Sequence, residues 1–471
     1  MTTSTLTAVP WSGPVDLALA GELDVQAACG LMHVHGRRFG RPTPLGLDYA
    51  STLAGELAAL GAAALELARL RGAAVRSVTT SVAQAALLAV SQYLAAATTA
   101  ADDDAPVVPF GVGGPPFVSG DGVAFELEAP DAEVWRRFWT ALRADPRAVA
   151  GSWRTFADRF ATATCPLPPE LTGVTARLPL QVLERAAAAT GTSLVRVANR
   201  VLDHLPAYRI AELPGAAGPR VPAPRGALPL SGLVVLESCR RVQGPLAGHL
   251  LRLLGAVVVR AEPPGGDPAR GVPPVADCRS GPVSARFHAL NRGKRVVEVD
   301  LATVAGRHEL LELAADADVF LHDWAPGRAE RWALRARDVA RARPGVVYAH
   351  ASGWGDELGD RPPPATDFVV QAHAGVPPSL MTVLDVFGGV VCARGVVDAL
   401  VRRVRSGAGR EVRSSLLSAA SRLNARATRR CTARLTAPVC TDLARLAADP
   451  RFARVLVRDG CVVPTSPWEF S

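Results

Sequence analysis

Between residues 233 and 355 short apolar runs alternate with amphipathic ones, and no other feature of this 471-residue chain restricts its fold so strongly. LVVLE, AVVVRAE, RVVEVD, DVFLHDW and VVYAHASGWG are strand-length and rich in β-branched residues. PLAGHLLRLLG, TVAGRHELLELAAD and RARDVARARPG fall between them as helices, the first with a proline in its first turn and Gly255 at its end. Such alternation predicts an α/β fold with a parallel sheet and helices on both faces. The segment from Leu233 to Arg270 runs strand, helix, strand and glycine-rich turn (PPGGD), yet contains neither a G-x-G-x-x-G fingerprint nor a phosphate-binding G-x-x-x-x-G-K-[ST] loop.

Two proline- and glycine-rich stretches, 101–120 and 213–232, divide the chain, because proline can join neither a sheet ladder nor a helix interior. An internal repeat crosses these divisions. QAACG (26–30) matches QAHAG (371–375), each followed by a loop, an aspartate (Asp48 or Asp385) and an alanine- or valine-rich helix. Farther on, Val78, Ser81, Ala85 and Ala86 fall on Val412, Ser415, Ala419 and Ala420 without a gap. The shared order indicates duplication.

The net charge of +8 raises the question of a nucleic-acid partner. Lys294 is the sole lysine, however, and the arginines are scattered without a basic tail or an aromatic platform, so no nucleic-acid partner is expected. No window reaches 18 uninterrupted apolar residues, and no basic residue precedes the first apolar stretch, so neither a membrane span nor a secretory signal is expected and the cytoplasm is the default. The eight cysteines include no C-x-x-C pair, and His33 and His35, on one face if LMHVHG is a strand, have no second ligand cluster nearby in the sequence. No metal is expected.

The strings PLSGLVVLE, RVQGPLAGHLLRLLGA, AEPPGGDPAR, ALNRGKRVVEVDL, ADVFLHDWAPG, RPGVVYAHASGWG and DFVVQAHAG, with the aspartate of LDVFGG, occur in the order found in the family III CoA-transferases (the carnitine and bile-acid type), and the chain resembles that family over 229–420. The resemblance implies a Rossmann-like, CoA-binding large domain and a smaller α+β domain. Its boundaries would be a partial large-domain repeat at 1–100, a small domain at 101–213, a linker at 214–228, the CoA-binding domain at 229–430, and a C-terminal segment at 431–471 packed on that domain. It further implies a rearranged fusion of parts of two copies, acting as a monomeric pseudo-dimer or as a homodimer.

Coenzyme A, carried as acyl-CoA, is the ligand implied, with a carboxylic acid as acceptor. Asp385 stands at the family's nucleophile, which passes CoA onward through an aspartyl anhydride and an aspartyl-CoA thioester, with Gly388 and Gly389 N–H groups as candidate oxyanion donors. Val242, Gln243 and Gly244 match CoA-contacting positions at a strand-to-helix junction, where free N–H groups suit a pyrophosphate. Arg260 and Arg270 flank the PPGGD turn as phosphate partners. Asn291 and Lys294 match another segment near the nucleotide, and Asp323, Trp324 and Arg331 match a third, where the family usually has asparagine in place of the aspartate. The 2-methylacyl-CoA racemases of the family carry a histidine where this chain has Thr366, before Asp367, which favours transfer over racemisation. His373 is the one substitute base nearby. A CoA-binding protein without catalysis is the remaining alternative.

Overall fold

A seven-stranded sheet lies at the centre of the computed structural model, which describes residues 9–99, 114–215, 218, 221, 223–224, 226–359, 362–428 and 435–471. Its strands are β1 (Tyr208–Glu212), β2 (Val234–Ser238), β3 (Val257–Glu262), β4 (Arg295–Glu298), β5 (Val319–His322), β6 (Val347–Ser352) and β7 (Arg410–Ser415). They lie in the order β4-β3-β2-β5-β6-β7-β1, parallel throughout except where β1 pairs antiparallel with β7. The expected α/β sheet is therefore present, with one correction at its edge. β1 falls inside the stretch assigned to the small domain, yet it completes the large sheet.

The period-2 pattern of the strands explains the layering. Val235, Val258, Val319, Leu321, Val347 and Ala349 enter one core with Leu246, Leu250 and Leu251, whereas Leu236, Phe320 and Tyr348 enter another with Leu310 and Val339. Truncating a fully buried ring such as Phe320 to alanine costs about 3–5 kcal/mol. The helices used below are α1 (Tyr49–Leu70), α2 (Gln243–Leu253), α3 (Asp367–Ala374) and α4 (Val383–Ser406). Helix α4 packs along both α1 and α2.

A second sheet, antiparallel and three-stranded (Phe117–Val118, Ala124–Glu128, Ser193–Arg196), carries helices whose Trp135, Phe138, Trp139 and Phe156 form its core. It docks on the start of α3. Thr366 Oγ1 donates to Glu128 Oε2 at 2.7 Å, and Ser193 Oγ to the Pro364 carbonyl at 3.0 Å. Arg159, paired with Glu128 at 2.8 Å, lies 4.6 Å from the Phe368 ring centre. Most of the proline-rich 101–120 stretch lies outside the described residues.

The internal repeat is also visible in backbone geometry. Asp48 caps α1 with φ −77° and ψ 65°; Thr382 caps α4 with φ −77° and ψ 58°. Ser81 and Ser415 each cap the next helix through an extended backbone and a side-chain oxygen. Gln26 bonds the Leu45 N–H and the Leu47 carbonyl, as Gln371 bonds the Ser379 N–H and, at longer range, the Met381 carbonyl. Glu22 accepts the N–H groups of Ala50 and Ser51, and Asp367 accepts that of Asp385. From Leu45 onward every pair therefore differs by the same number of residues. The sequence pairs Asp48 with Asp385, but the fold pairs Asp48 with Thr382 and places Ser51 opposite Asp385. Loops of unequal length after Gln26 and Gln371 bring the two aspartates into false register.

The C-terminal segment is shared between the two halves and does not pack on the half with the parallel sheet alone. Trp468 Nε1 donates to the Leu57 carbonyl at 2.9 Å, Val78–Thr79 pairs with Glu469–Phe470, and the Val462 N–H reaches Thr98 Oγ1 at 2.8 Å. On the other side, Arg292 donates to the Pro464 carbonyl at 2.5 Å. Residues 431–434 lie outside the described set. His33 and His35 sit on a helix, Leu31–Gly36, so their side chains diverge instead of sharing a strand face.

Candidate functional site

From β2 the sheet winds outward in one direction and from β5 in the other. The crevice beyond their C-terminal ends is thus the topological switch point, where open α/β sheets bind ligands. Cys239–Gln243 form one wall and Asp323–Trp324 the other. Arg241 turns the chain into α2 with φ +63°, a left-handed conformation that costs a non-glycine residue roughly 1–2 kcal/mol and is typical of functional turns. No side chain caps α2, so the N–H groups of Gln243 and Gly244 are left at its start. Asp323 accepts the Arg240 N–H at 2.7 Å; burial pushes its carboxyl up to about 7 against that bond. An asparagine there would accept the same N–H through its carbonyl, so the aspartate preserves this contact.

Val242 and Gln243 are buried, and the Gln243 amide nitrogen has no hydrogen-bond partner. That amide rests on α4. A Cβ on Gly388 would lie 2.8 Å from Gln243 Nε2, and one on Gly389 would lie 3.0 Å from the Gln243 carbonyl. The two glycines therefore admit Gln243 and α2 to the surface of α4. They do not supply oxyanion donors, because both lie inside the helix and their N–H groups belong to its own ladder. One turn earlier on the same helix is Asp385.

Asp385 is the third residue of α4, not its cap, which is Thr382. Its backbone N–H donates to Asp367 Oδ2 at 2.7 Å. Among the described residues its carboxylate accepts no hydrogen bond. Burial raises the carboxyl to about 7, and the charge of Arg241 opposes that rise. Burial, and next the Asp385 charge, push Asp367 well above the usual carboxylate range although Gln371 and two backbone N–H groups bond to it. The pair thus holds on to a proton near neutrality. The rest of the setting is Tyr49, whose hydroxyl donates to the Val383 carbonyl at 2.8 Å.

Several other residues expected at the ligand are internal. Arg260 is 1% exposed and bonds Glu237 (2.6 Å), Glu262 (2.9 Å) and Asp267 (2.5 Å). The Lys294 ammonium is fully enclosed and donates to both Glu237 oxygens, the Pro245 carbonyl and Asn291 Oδ1 at 2.7–3.0 Å. Asn291 spends its amide on the Phe287 carbonyl. Arg270 holds Glu262 with two nitrogens at 2.7 and 2.9 Å, leaving a third, with its side chain 37% exposed. These three cations and three carboxylates form one closed, neutral cluster, and phosphate roles for Arg260 and Lys294 would require breaking it. Trp324 is likewise core. Its indole donates to Ser238 Oγ at 3.0 Å and its ring meets Phe320, His322 and Trp332. Arg331 is exposed, as are Arg240 and Arg241.

Arg240, Arg241, Tyr49 and the buried carboxylate Glu237 were not singled out by the sequence. The RR pair immediately before a proline-containing helix start was the available signal for the first two. Thr366 is tied to Glu128, and His373 is exposed, edge-on to Trp354, on a different face of α3 from Asp367. The fold thus offers no histidine partner to the Asp367–Asp385 pair from these positions.

The model of CoA-transferase family III matches residues 6–206 and 230–439. A probable fatty acyl-CoA transferase of Mycobacterium tuberculosis is 35% identical over 216 residues, 44% of this chain and 55% of that protein. The acetyl-CoA:oxalate CoA-transferase of Acetobacter aceti is 32% identical over 206 residues, 41% of this chain and 51% of the relative. The crystal structure of a CaiB/BaiF family protein from Brucella suis aligns at 31% identity with a TM-score of 0.39, covering 41% of this chain and 55% of that one. The chain therefore spans about half the length of the curated relatives it matches.

Proposed function

Because the chain belongs to CoA-transferase family III, we propose that it moves coenzyme A from an acyl-CoA thioester to a carboxylic acid, with Asp385 as the covalent nucleophile. The Asp385 carboxylate attacks the thioester carbonyl, and the C–S bond breaks to give a mixed anhydride and the CoA thiolate. The thiolate then attacks the aspartyl carbonyl, releasing the donor acid and leaving an aspartyl-CoA thioester. An acceptor carboxylate repeats the sequence in reverse and leaves as the new acyl-CoA, and Asp385 is regenerated.

The observation that carries this reading is the junction of α2 and α4. It brings a half-buried carboxylate without a hydrogen-bond partner to the sheet's switch point, beside an amide nitrogen, Gln243 Nε2, that has no partner in the protein. Gln243 would donate to the carbonyl oxygen on which negative charge develops. The α2 N-terminus and the exposed Arg240, Arg241 and Arg331, with the remaining nitrogen of the half-buried Arg270, would face the CoA phosphates. Helices α1 and α4, related by the repeat and packed on each other, support a single chain that plays the part of two subunits.

Transfer of CoA between a labelled acid and an acyl-CoA tests it. Asp385→Ala loses activity by several orders of magnitude, as removal of a nucleophile does elsewhere, while Asp48→Ala retains it. Activity persisting in the first variant, or vanishing in the second, overturns the assignment.

A further inference from the structure

The cysteines are scattered in sequence but not in the fold. Cys278 ends the strand Val275–Cys278, His288 lies in the helix Ala285–Asn291, and Cys461 begins the strand Cys461–Pro464. All three are buried, and one ligand atom from each lies within 4.8 Å of the others. The reason for expecting no metal, cysteines distant along the chain, is thereby removed.

Three further observations show a built site. His288 Nε2 is buried and makes no well-formed hydrogen bond. Asp459 Oδ2 stands 3.3 Å from that nitrogen. The carboxylate is held in position, since its other oxygen accepts the Arg279 N–H at 3.0 Å and the Asp459 carbonyl accepts the Cys278 thiol at 3.2 Å. Between Asp459 and Cys461, Gly460 adopts φ +69°, and a Cβ there would lie 2.6 Å from the Asp277 carbonyl. Only glycine lets this turn press onto Asp277–Cys278 and bring the two cysteines together.

We propose that Cys278, His288 and Cys461 bind a structural Zn²⁺ ion that fastens the strand Cys461–Pro464 to the 275–291 segment, the Asp459 carboxylate being drawn in as fourth ligand when the ion binds. Two thiolates, an imidazole and a carboxylate are a tetrahedral zinc set, and four protein ligands leave no open position for catalysis. With Zn–S near 2.3 Å and Zn–N or Zn–O near 2.0–2.1 Å, ligand atoms stand about 3.3–3.8 Å apart around a bound ion, so these atoms, within 4.8 Å of one another, would draw together on binding. Binding forms two Zn–S bonds and releases the two thiol protons to solvent. A Cys278–Cys461 disulfide would join the same strands but would give the buried imidazole beside them no role, whereas a metal uses all three groups.

The test uses the full chain, purified with its bound metal and then stripped by a chelator. The isolated protein contains about one Zn²⁺ per chain, and Co²⁺ added to the stripped protein gives thiolate charge-transfer absorption with the intense visible bands of a tetrahedral site. Cys461→Ser and His288→Gln lower zinc content by at least about tenfold, the loss that even an outer-shell change brings; Cys440→Ser, a half-exposed cysteine outside the cluster, retains it. Absence of the thiolate–Co²⁺ band in the wild type overturns the proposal, and that titration decides even if a cluster variant fails to fold. So does a band that survives Cys461→Ser, or a Cys278–Cys461 disulfide whose reduction restores no Co²⁺ binding.

Discussion

Replacing Lys294 by methionine separates two roles that the sequence cannot tell apart. A phosphate-binding lysine faces solvent and contributes little to stability, whereas the fold encloses Lys294 beside Glu237, whose side chain is also fully buried. Removing the ammonium leaves Glu237 with Arg260 alone, takes donors from the Pro245 carbonyl and Asn291, and gives the six-membered cluster a net negative charge. Breaking a buried ion pair from one side costs about 3–5 kcal/mol, far outside the ±0.5 kcal/mol of ordinary surface changes. With a urea m-value of about 2–3 kcal/mol/M, the unfolding midpoint falls by roughly 1–2 M. Adding Glu237→Gln restores neutrality, so the double variant is less destabilised than the sum of the singles. Urea titration followed by circular dichroism measures the first effect, and calorimetric titration with CoA shows affinity within about twofold of wild type at temperatures where the variant is folded. A variant as stable as wild type that has lost tenfold or more in CoA affinity would refute the internal role.

Gly248→Ala places a methyl inside contact distance of Glu237 Oε2, which Arg260 and Lys294 prevent from moving aside; differential scanning calorimetry should show about 1–3 kcal/mol of destabilisation, and an unchanged melting curve would mean the carboxylate is not pinned. A nucleophilic Asp385, as proposed, attacks only when ionised, so kcat/KM for transfer should rise with pH through about 7, to which burial raises its carboxyl. Because the Arg241 charge holds that carboxyl down, Arg241→Asn, which keeps the left-handed turn accessible, moves the inflection to higher pH. An inflection that stays in place would remove Arg241 from the site.

How much of this was legible depends on the range over which each feature is encoded. The β2-to-β6 alternation, the first-turn proline of α2 and the repeat between residues 78–86 and 412–420 are local or colinear, and the sequence carried them. The neutralisation of Arg260 and Lys294 was not legible, since their partners Glu237, Glu262 and Asp267 come together only when β2 and β3 pair and the PPGGD turn folds back. A lysine three residues after an asparagine gives no sign of enclosure. Asp48 was misplaced because register after Gln26 depends on the length of a loop, which has no periodicity to fix it. The edge strand β1 follows the small-domain sequence directly and pairs with β7, about two hundred residues later. The Cys278–His288–Cys461 cluster was invisible for the same reason, its members meeting only through the C-terminal hairpin.

The most direct test of the central claim is to incubate the protein with an acyl-CoA, trap with hydroxylamine and map the adduct by peptide mass spectrometry. A hydroxamate on Asp385, with none on Asp48, is the predicted result, because among the described residues it is Asp385 that presents an unbonded carboxylate on the helix face against Gln243. Transfer that proceeds with Asp385 unmodified, or an adduct on another carboxylate, would contradict it.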